Sequence, residues 1–318
     1  MTAGEDPAGP RRPPWGTVLR WLFALAVVGF GTWYFVRNGP ALLEALRGAN
    51  ALLLVPAVLL AALALLLAFD SWRVLWRSFG VALPLLPGAR VFFVSQTGKY
   101  VPGSIWPIAA QAAMARRHGL AASESVVLSL IAMGVSIAVG LAWGAAVTIL
   151  ALPGLLPGYG WVAAVAVLGL LAVLPPVVTR AARLVSRLPR VDASRLDYRL
   201  PVALRSAGAQ LGNWLIGGLH LWLVVVALGA EPGAALLPSL GAFPLAFALG
   251  VLLIPFPAGL GVRELVIAVV LAGVVSEPTA ALAAVVSRVI YAGCDFALAG
   301  LSMLAARGAE TQPTGAGS

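Results

Sequence analysis

The stretch IPFPAGLGVRE, Ile254 to Glu264, interrupts an otherwise apolar sequence: a long apolar run leads into it, and another, Leu265 to Val275, leads out. Pro255 and Pro257 remove backbone donors, while Gly259 and Gly261 open conformations that other residues avoid. Arg263 and Glu264 follow at once. In lipid, a broken helix leaves amides and carbonyls without partners, each costing on the order of several kcal/mol. Such a break survives only where protein or a water-filled cavity covers it. The stretch therefore predicts the centre of a site.

The surrounding composition sets the solvent. Hydrophobic residues make up 61% of the 318 residues and charged residues 10%, against about 25% charged in a soluble domain. Mean hydropathy is +0.97. This predicts an all-α, polytopic membrane protein. Cys294 is the single cysteine and His118 and His220 the only histidines, so disulfides, cysteine clusters and a histidine metal centre are not expected. No cofactor is implied. The net charge of +9 and a pI near 10.9 do not point to nucleic acid, because the charge is concentrated between apolar runs. Residues 180 to 205 hold seven arginines and two acids, 7 − 2 = +5, as the positive-inside rule predicts for a cytoplasmic loop.

Working outward from the break gives an order of spans. Residues 1–14 read as a disordered tail and 308–318 as another, flanking one membrane domain over 15–307. Full spans are predicted at Val18 to Val36, Ala51 to Phe69, Ser123 to Ala151, Trp161 to Val178, Arg205 to Leu228 and Thr279 to Ala306. Trp72 and Trp76 read as interfacial aromatics. Ala89 to Ala115 is broken by Pro102 and Gly103, and Leu236 to Val275 by the opening stretch; both read as re-entrant hairpins. Sixteen arginines then fall on the cytoplasmic side and two, Arg37 and Arg47, outside. Lys99, Arg263 and Arg288 lie within membrane segments, completing the 21. Both termini are expected in the cytoplasm, in a bacterial-type inner membrane.

Each half, about 15–152 and 159–307, thus holds three full spans and one broken segment. An odd number of crossings inverts the second copy. Inverted repeats whose discontinuous helices meet near the midplane are a recurring transporter plan.

Ionisable residues inside membrane segments are functional candidates by default. Lys99 and Arg263 flank the two breaks, where free backbone amides and positive charge favour an anion such as a lipid phosphate. Each also has a structural reading, as a cap or a snorkelling side chain. Arg288, Tyr291 and Asp295 share one helix face. Glu264 and Asp295 are candidate partners for Arg263 and Arg288, in a network that is either structural or part of transport. Ser206, Gln210, Asn213, Gly217 and His220 form a polar stripe that must face inward, for interhelical hydrogen bonding or for ligand contact. Gly140 and Gly144, with Ser125, Ser129 and Ser136, predict a close-packing seam. No nucleophile–base pair or carboxylate dyad is legible, so no enzyme is expected.

The run PFPAGLGVRE with the later Ser287-Arg288 span, together with YVPGSIW (Tyr100 to Trp106), Arg116, Arg117 and Gly119, resembles the lysylphosphatidylglycerol synthase transmembrane region family, the flippase-like domain proteins. The resemblance runs from about Trp15 to Arg307. It implies an integral membrane domain with inward-dipping helices, concerned with moving aminoacylated or glycosylated lipids between leaflets. Some members carry a soluble aminoacyltransferase domain after it; the sequence to Ser318 contains none, so lipid aminoacylation is not carried over. The first half lacks an arginine matching Arg288, since Ala132 to Val135 occupy that stretch. The expectation is a flippase-like protein that binds an anionic lipid or lipid-linked glycan. The alternative is a non-transporting subunit that positions a separate cell-envelope transferase through the arginine-rich loop.

Overall fold

The structure is a computed structural model that describes residues 39–40, 43, 47–100, 106–185, 194–252 and 261–310. Among these, all regular structure is helical. The helices are α1 (Leu54–Val74), α2 (Leu85–Gln96), α3 (Trp106–Ala115), α4 (Ala122–Ala151), α5 (Leu156–Ala172), α6 (Pro175–Val185), α7 (Leu200–Ala227), α8 (Pro232–Leu252), α9 (Val262–Leu271) and α10 (Glu277–Glu310). Tight single turns extend α1 on both sides, over Ala51–Leu53 and Leu75–Phe79, and follow α2 at Thr97–Tyr100. Among the described residues, five stretches are long and apolar enough to cross a bilayer, Ala51–Phe79, Ala122–Ala151, Leu200–Ala227, Pro232–Leu252 and Glu277–Ala305, and six if the bent pair Ala163–Ala172 and Pro175–Leu184 is one span. The chain is a polytopic all-α membrane protein. The span expected over Val18 to Val36 lies outside the described residues, as do Pro102, Gly103, Pro255, Pro257 and Gly259.

The bundle is organised on α1 and α7. Asn50 N donates to Ala227 O at 2.8 Å, His220 meets the carbonyl of Ala57 at 2.8 Å, and the Ser71 and Ser206 hydroxyls lie 3.0 Å apart. The pairs 50/227, 57/220 and 71/206 all sum to 277, so the helices run antiparallel in a fixed register. Steps of seven residues return the same face after two turns, which is the spacing of shallow knobs-into-holes packing. Ala57, Ala61 and Ala64 on α1 are fully buried, and their small size lets the α7 polar stripe approach closely.

A second antiparallel seam joins α4 to α8. A Cβ on Gly144 would sit 2.7 Å from Leu245 Cγ and 3.0 Å from its backbone nitrogen, and Gly241 is equally close to Thr148. The pairs 144/245 and 148/241 both sum to 389. Continued, that register brings the end of α8 to Ile137, and Leu249 indeed packs in a cluster with Ile137 and Leu141. Ile137 is 15 residues inside α4 (137 − 122), about 22 Å at 1.5 Å per residue. So Leu252, the last described residue of α8, lies level with the middle of α4, and α9 packs against α8.

Packing relationships then come in matched sets. α2 packs on α10 as α8 packs on α4; α3 packs on α4 as α9 packs on α10; α4 packs on α7 as α10 packs on α1. The helices that follow the two breaks, α3 and α9, have 10 residues each.

Three expectations are corrected. Trp161 to Val178 is not one straight span: the chain bends by 70° between Ala172 and Pro175, where Pro175 and Pro176 cannot donate to the preceding turn. Trp72 and Trp76, read as interfacial aromatics, do not form an exposed belt: they are 3% and 0% exposed and face the protein interior. They pack with Phe69, Phe92 and Phe93, and Trp72 Nε1 donates to Gln111 Oε1 at 3.2 Å. Finally, α10 continues to Glu310, into the segment read as a tail.

Candidate functional site

Helix α9 begins where the opening stretch ends. Gly261 has φ +85°, a left-handed conformation that a side chain disfavours, and it turns the chain into the helix. Three residues on, Glu264 reaches back so that Oε2 accepts from Gly261 N at 2.8 Å, satisfying one of the amides a helix start leaves free. Its other oxygen, Oε1, accepts from Arg288 Nη1 on α10 at 2.6 Å. One carboxylate thereby caps α9 and ties it to α10.

Two turns further along α10 (295 − 288 = 7 residues, about 10 Å), Asp295 does the same for the first half. Its Oδ2 takes Lys99 Nζ at 2.6 Å and the Tyr100 hydroxyl at 2.6 Å. Lys99 and Tyr100 form the turn that ends just before Pro102. Asp295 is 1% exposed and Lys99 33%, and the Tyr100 ring stacks on Phe296 at 5.3 Å. Helix α10 therefore holds the flank of both breaks, Glu264 through Arg288 and Lys99–Tyr100 through Asp295.

Arg263 is placed differently from the other two cations. Its guanidinium lies 4.3 Å from the centre of the Phe247 ring on α8. Its Nε is enclosed without a hydrogen-bond partner, and it makes no ion pair among the described residues. It lies within electrostatic range of Arg288, Glu264, Tyr100 and Asp295. Among the described residues the cluster holds three cations, Lys99, Arg263 and Arg288, against two carboxylates, Glu264 and Asp295: 3 − 2 = +1. Asp295 Oδ1 and the Tyr291 hydroxyl are likewise enclosed and without partners among the described residues.

The shared face of Arg288, Tyr291 and Asp295 is as read from their spacing, and all three point into this region. Tyr291 packs against His220 at 5.1 Å and Phe243 at 5.2 Å, in space that the absent side chain of Gly217 leaves open. The polar stripe is buried: Ser206, Gln210, Asn213 and His220 are each at most 5% exposed. Gln210 Nε2 donates to Ser136 Oγ at 3.0 Å. His220 Nδ1 faces the Ala57 carbonyl, which can only accept, so Nδ1 carries the proton, and Nε2 meets Ser287 Oγ at 3.0 Å. These are interhelical bonds, so the stripe frames the cluster. Of the proposed partners, Glu264 takes Arg288, whereas Asp295 takes Lys99.

Sequence reasoning missed the partners Tyr100 and Phe247. Tyr100 adjoins Lys99 at the break and was visible as a motif residue. Phe247 follows Phe243 by four residues, one helix face of α8, but nothing in the spacing aims it at Arg263.

No curated protein matched the sequence. The family model described as the lysylphosphatidylglycerol synthase TM region matches residues 21–299. With all but the ends of the chain covered, and with an apolar helical bundle as its fold, this protein belongs to the lysylphosphatidylglycerol synthase TM region family.

Proposed function

We propose that the protein binds the phosphate of an anionic lipid or lipid-linked glycan between its halves and helps the head group across the bilayer without covalent chemistry. The observation that carries this is Arg263: a cation in an apolar bundle, set over an aromatic face, in a cluster with one positive charge too many. Such a charge is costly in a membrane, and a phosphate oxyanion would offset it with the forked geometry guanidinium favours. In this reading Arg263 is the first phosphate ligand, and Lys99 exchanges between Asp295 and the phosphate. Glu264, Arg288 and Asp295 hold the broken segments to α10.

The repeated packing relationships and the antiparallel α1–α7 pair support an inverted repeat, with one broken segment entering from each side. The site would then be reached from either leaflet by releasing one latch.

The test is leaflet exchange of labelled lipids in liposomes holding the full chain, across zwitterionic, anionic and lipid-linked sugar substrates. Exchange should accelerate for an anionic class, and Arg263→Gln should lower it by about tenfold, the loss of one charge-assisted contact. Unchanged exchange for every class with folded protein would count against transport. Indifference to Arg263→Gln with co-purification of a transferase would favour the scaffold reading.

A further inference from the structure

At the arginine-rich end of the bundle, away from this cluster, α1 closes at Gly80 in a left-handed turn (φ +72°) and the chain reverses toward Pro84. Beneath that reversal is a cavity of about 200 Å³ lined by Arg73, Arg77, Leu83, Pro84 and Arg205. Asp70 sits between two of the arginines: Oδ1 accepts from Arg73 Nη2 at 3.2 Å, and Oδ2 lies 3.6 Å from Arg205 Nη2. Arg73 Nη1 spans a long 3.4 Å to Leu83 O, and its Nε is enclosed with no hydrogen-bond partner. Arg77 is exposed and makes no ion pair among the described residues. Among the described residues at the cavity, three guanidiniums thus face one carboxylate, an excess of 3 − 1 = +2.

A preference for positive charge on one side of the membrane explains arginines at this end but not this arrangement. Asp70 fixes Arg73 of α1 beside Arg205 of α7, and these two side chains line, with the exposed Arg77, a cavity large enough for a phosphate group. The neighbouring surface is apolar: Leu85, Leu200 and Leu204 are 59%, 53% and 62% exposed, as residues facing acyl chains are. The cavity therefore lies at the border between apolar belt and charged rim, where lipid phosphates sit, and basic pockets there recognise anionic head groups.

We propose that Arg73, Arg77 and Arg205 form a binding site for a phosphate group, supplied by an anionic phospholipid of the adjacent leaflet. The site is separate from the Arg263 cluster and clamps the arginine-rich ends of α1 and α7 to the membrane surface.

Purified full-length protein, titrated with phosphatidylglycerol or phosphatidylcholine and read by native mass spectrometry, tests this. Phosphatidylglycerol should be retained over phosphatidylcholine. Arg77→Gln, which breaks no ion pair, should weaken one bound phosphatidylglycerol by about tenfold, in the unmutated and the Arg263→Gln backgrounds alike; Arg73→Gln should weaken it further. Arg116→Gln with Arg117→Gln, removing two charges elsewhere on this end, should leave it unchanged. Retention unaffected by Arg77→Gln, or equally lost in the Arg116/Arg117 variant, overturns the site. Displacement by glycerol phosphate at equal concentration overturns the lipid source, leaving a site for a soluble phosphate compound.

Discussion

At the scale of single residues, Glu264 does two jobs with one carboxylate, capping α9 and pairing with Arg288. The pair is 25% and 29% exposed, so screening weakens it relative to a fully enclosed ion pair. Glu264→Ala removes both cap and charge and should destabilise by about 2 kcal/mol. Glu264→Gln keeps an acceptor for Gly261 and should cost less. A double-mutant cycle with Arg288→Gln, followed by thermal unfolding in detergent, should give a coupling of roughly 1 kcal/mol; additive effects would mean that the two side chains do not interact. The candidates themselves were legible because ionisable groups in apolar runs stand out, and because Arg288, Tyr291 and Asp295 fall on one face by helical period. Which cation meets which acid was not. Lys99 and Asp295 are 196 residues apart, and no local pattern encodes how far α10 is shifted along α2.

At the scale of elements, the helix periods and breaks were legible while the bends and registers were not. The seam predicted from Gly140 and Gly144 exists, but its partners, Trp214 for Gly140 and the Gly241–Leu245 segment for Gly144, come from helices whose register only packing fixes. Gly144→Ala should overpack that seam and destabilise by about 1–3 kcal/mol, whereas Gly293→Ala, which meets nothing within 4 Å, should not destabilise. Equal effects in a thermal scan would contradict the seam. The start of α8 gives a pH test. Glu231, exposed in the α7–α8 loop, accepts from Ala234 N at 2.5 Å and Gly233 N at 2.9 Å, and these bonds hold its carboxyl below the usual value of 4.5. Because the folded value is the lower one, its stabilising contribution is complete above pH 4.5 and is lost as pH falls through the folded value. Glu231→Gln should flatten that acid limb of a stability–pH curve. A limb identical to that of the unmutated protein would place the acid sensitivity elsewhere.

At the scale of the whole molecule, the fold gathers charge at one end. Arg195 bonds both oxygens of the buried Glu124 at 3.2 Å and the Phe79 carbonyl at 2.9 Å. Asp197 N donates to Ser78 O at 2.7 Å, and Tyr198 is 4% exposed. The last part of the arginine-rich segment is thus docked onto the ends of α1 and α4, which places these ends and the start of α7 together. The opposite end holds the Asn50–Ala227 contact and Glu231. Arg195→Ala would leave the Glu124 carboxylate buried with its charge unpaired, so the dock is structural and the orientation must be tested without disturbing it. Charge bias predicts that the docked end faces the cytoplasm. Single cysteines in a Cys294→Ala background separate the alternatives, one at Ser276 between α9 and α10 and one at Arg116 or Arg117 after α3. A membrane-impermeant thiol reagent applied to intact cells should label the Ser276 position and reach the Arg116 or Arg117 position only after lysis. The reverse pattern would invert the orientation and move the Arg73–Arg77–Arg205 pocket to the outer leaflet. Labelling of both positions in intact cells would break the alternation of crossings on which the inverted repeat depends.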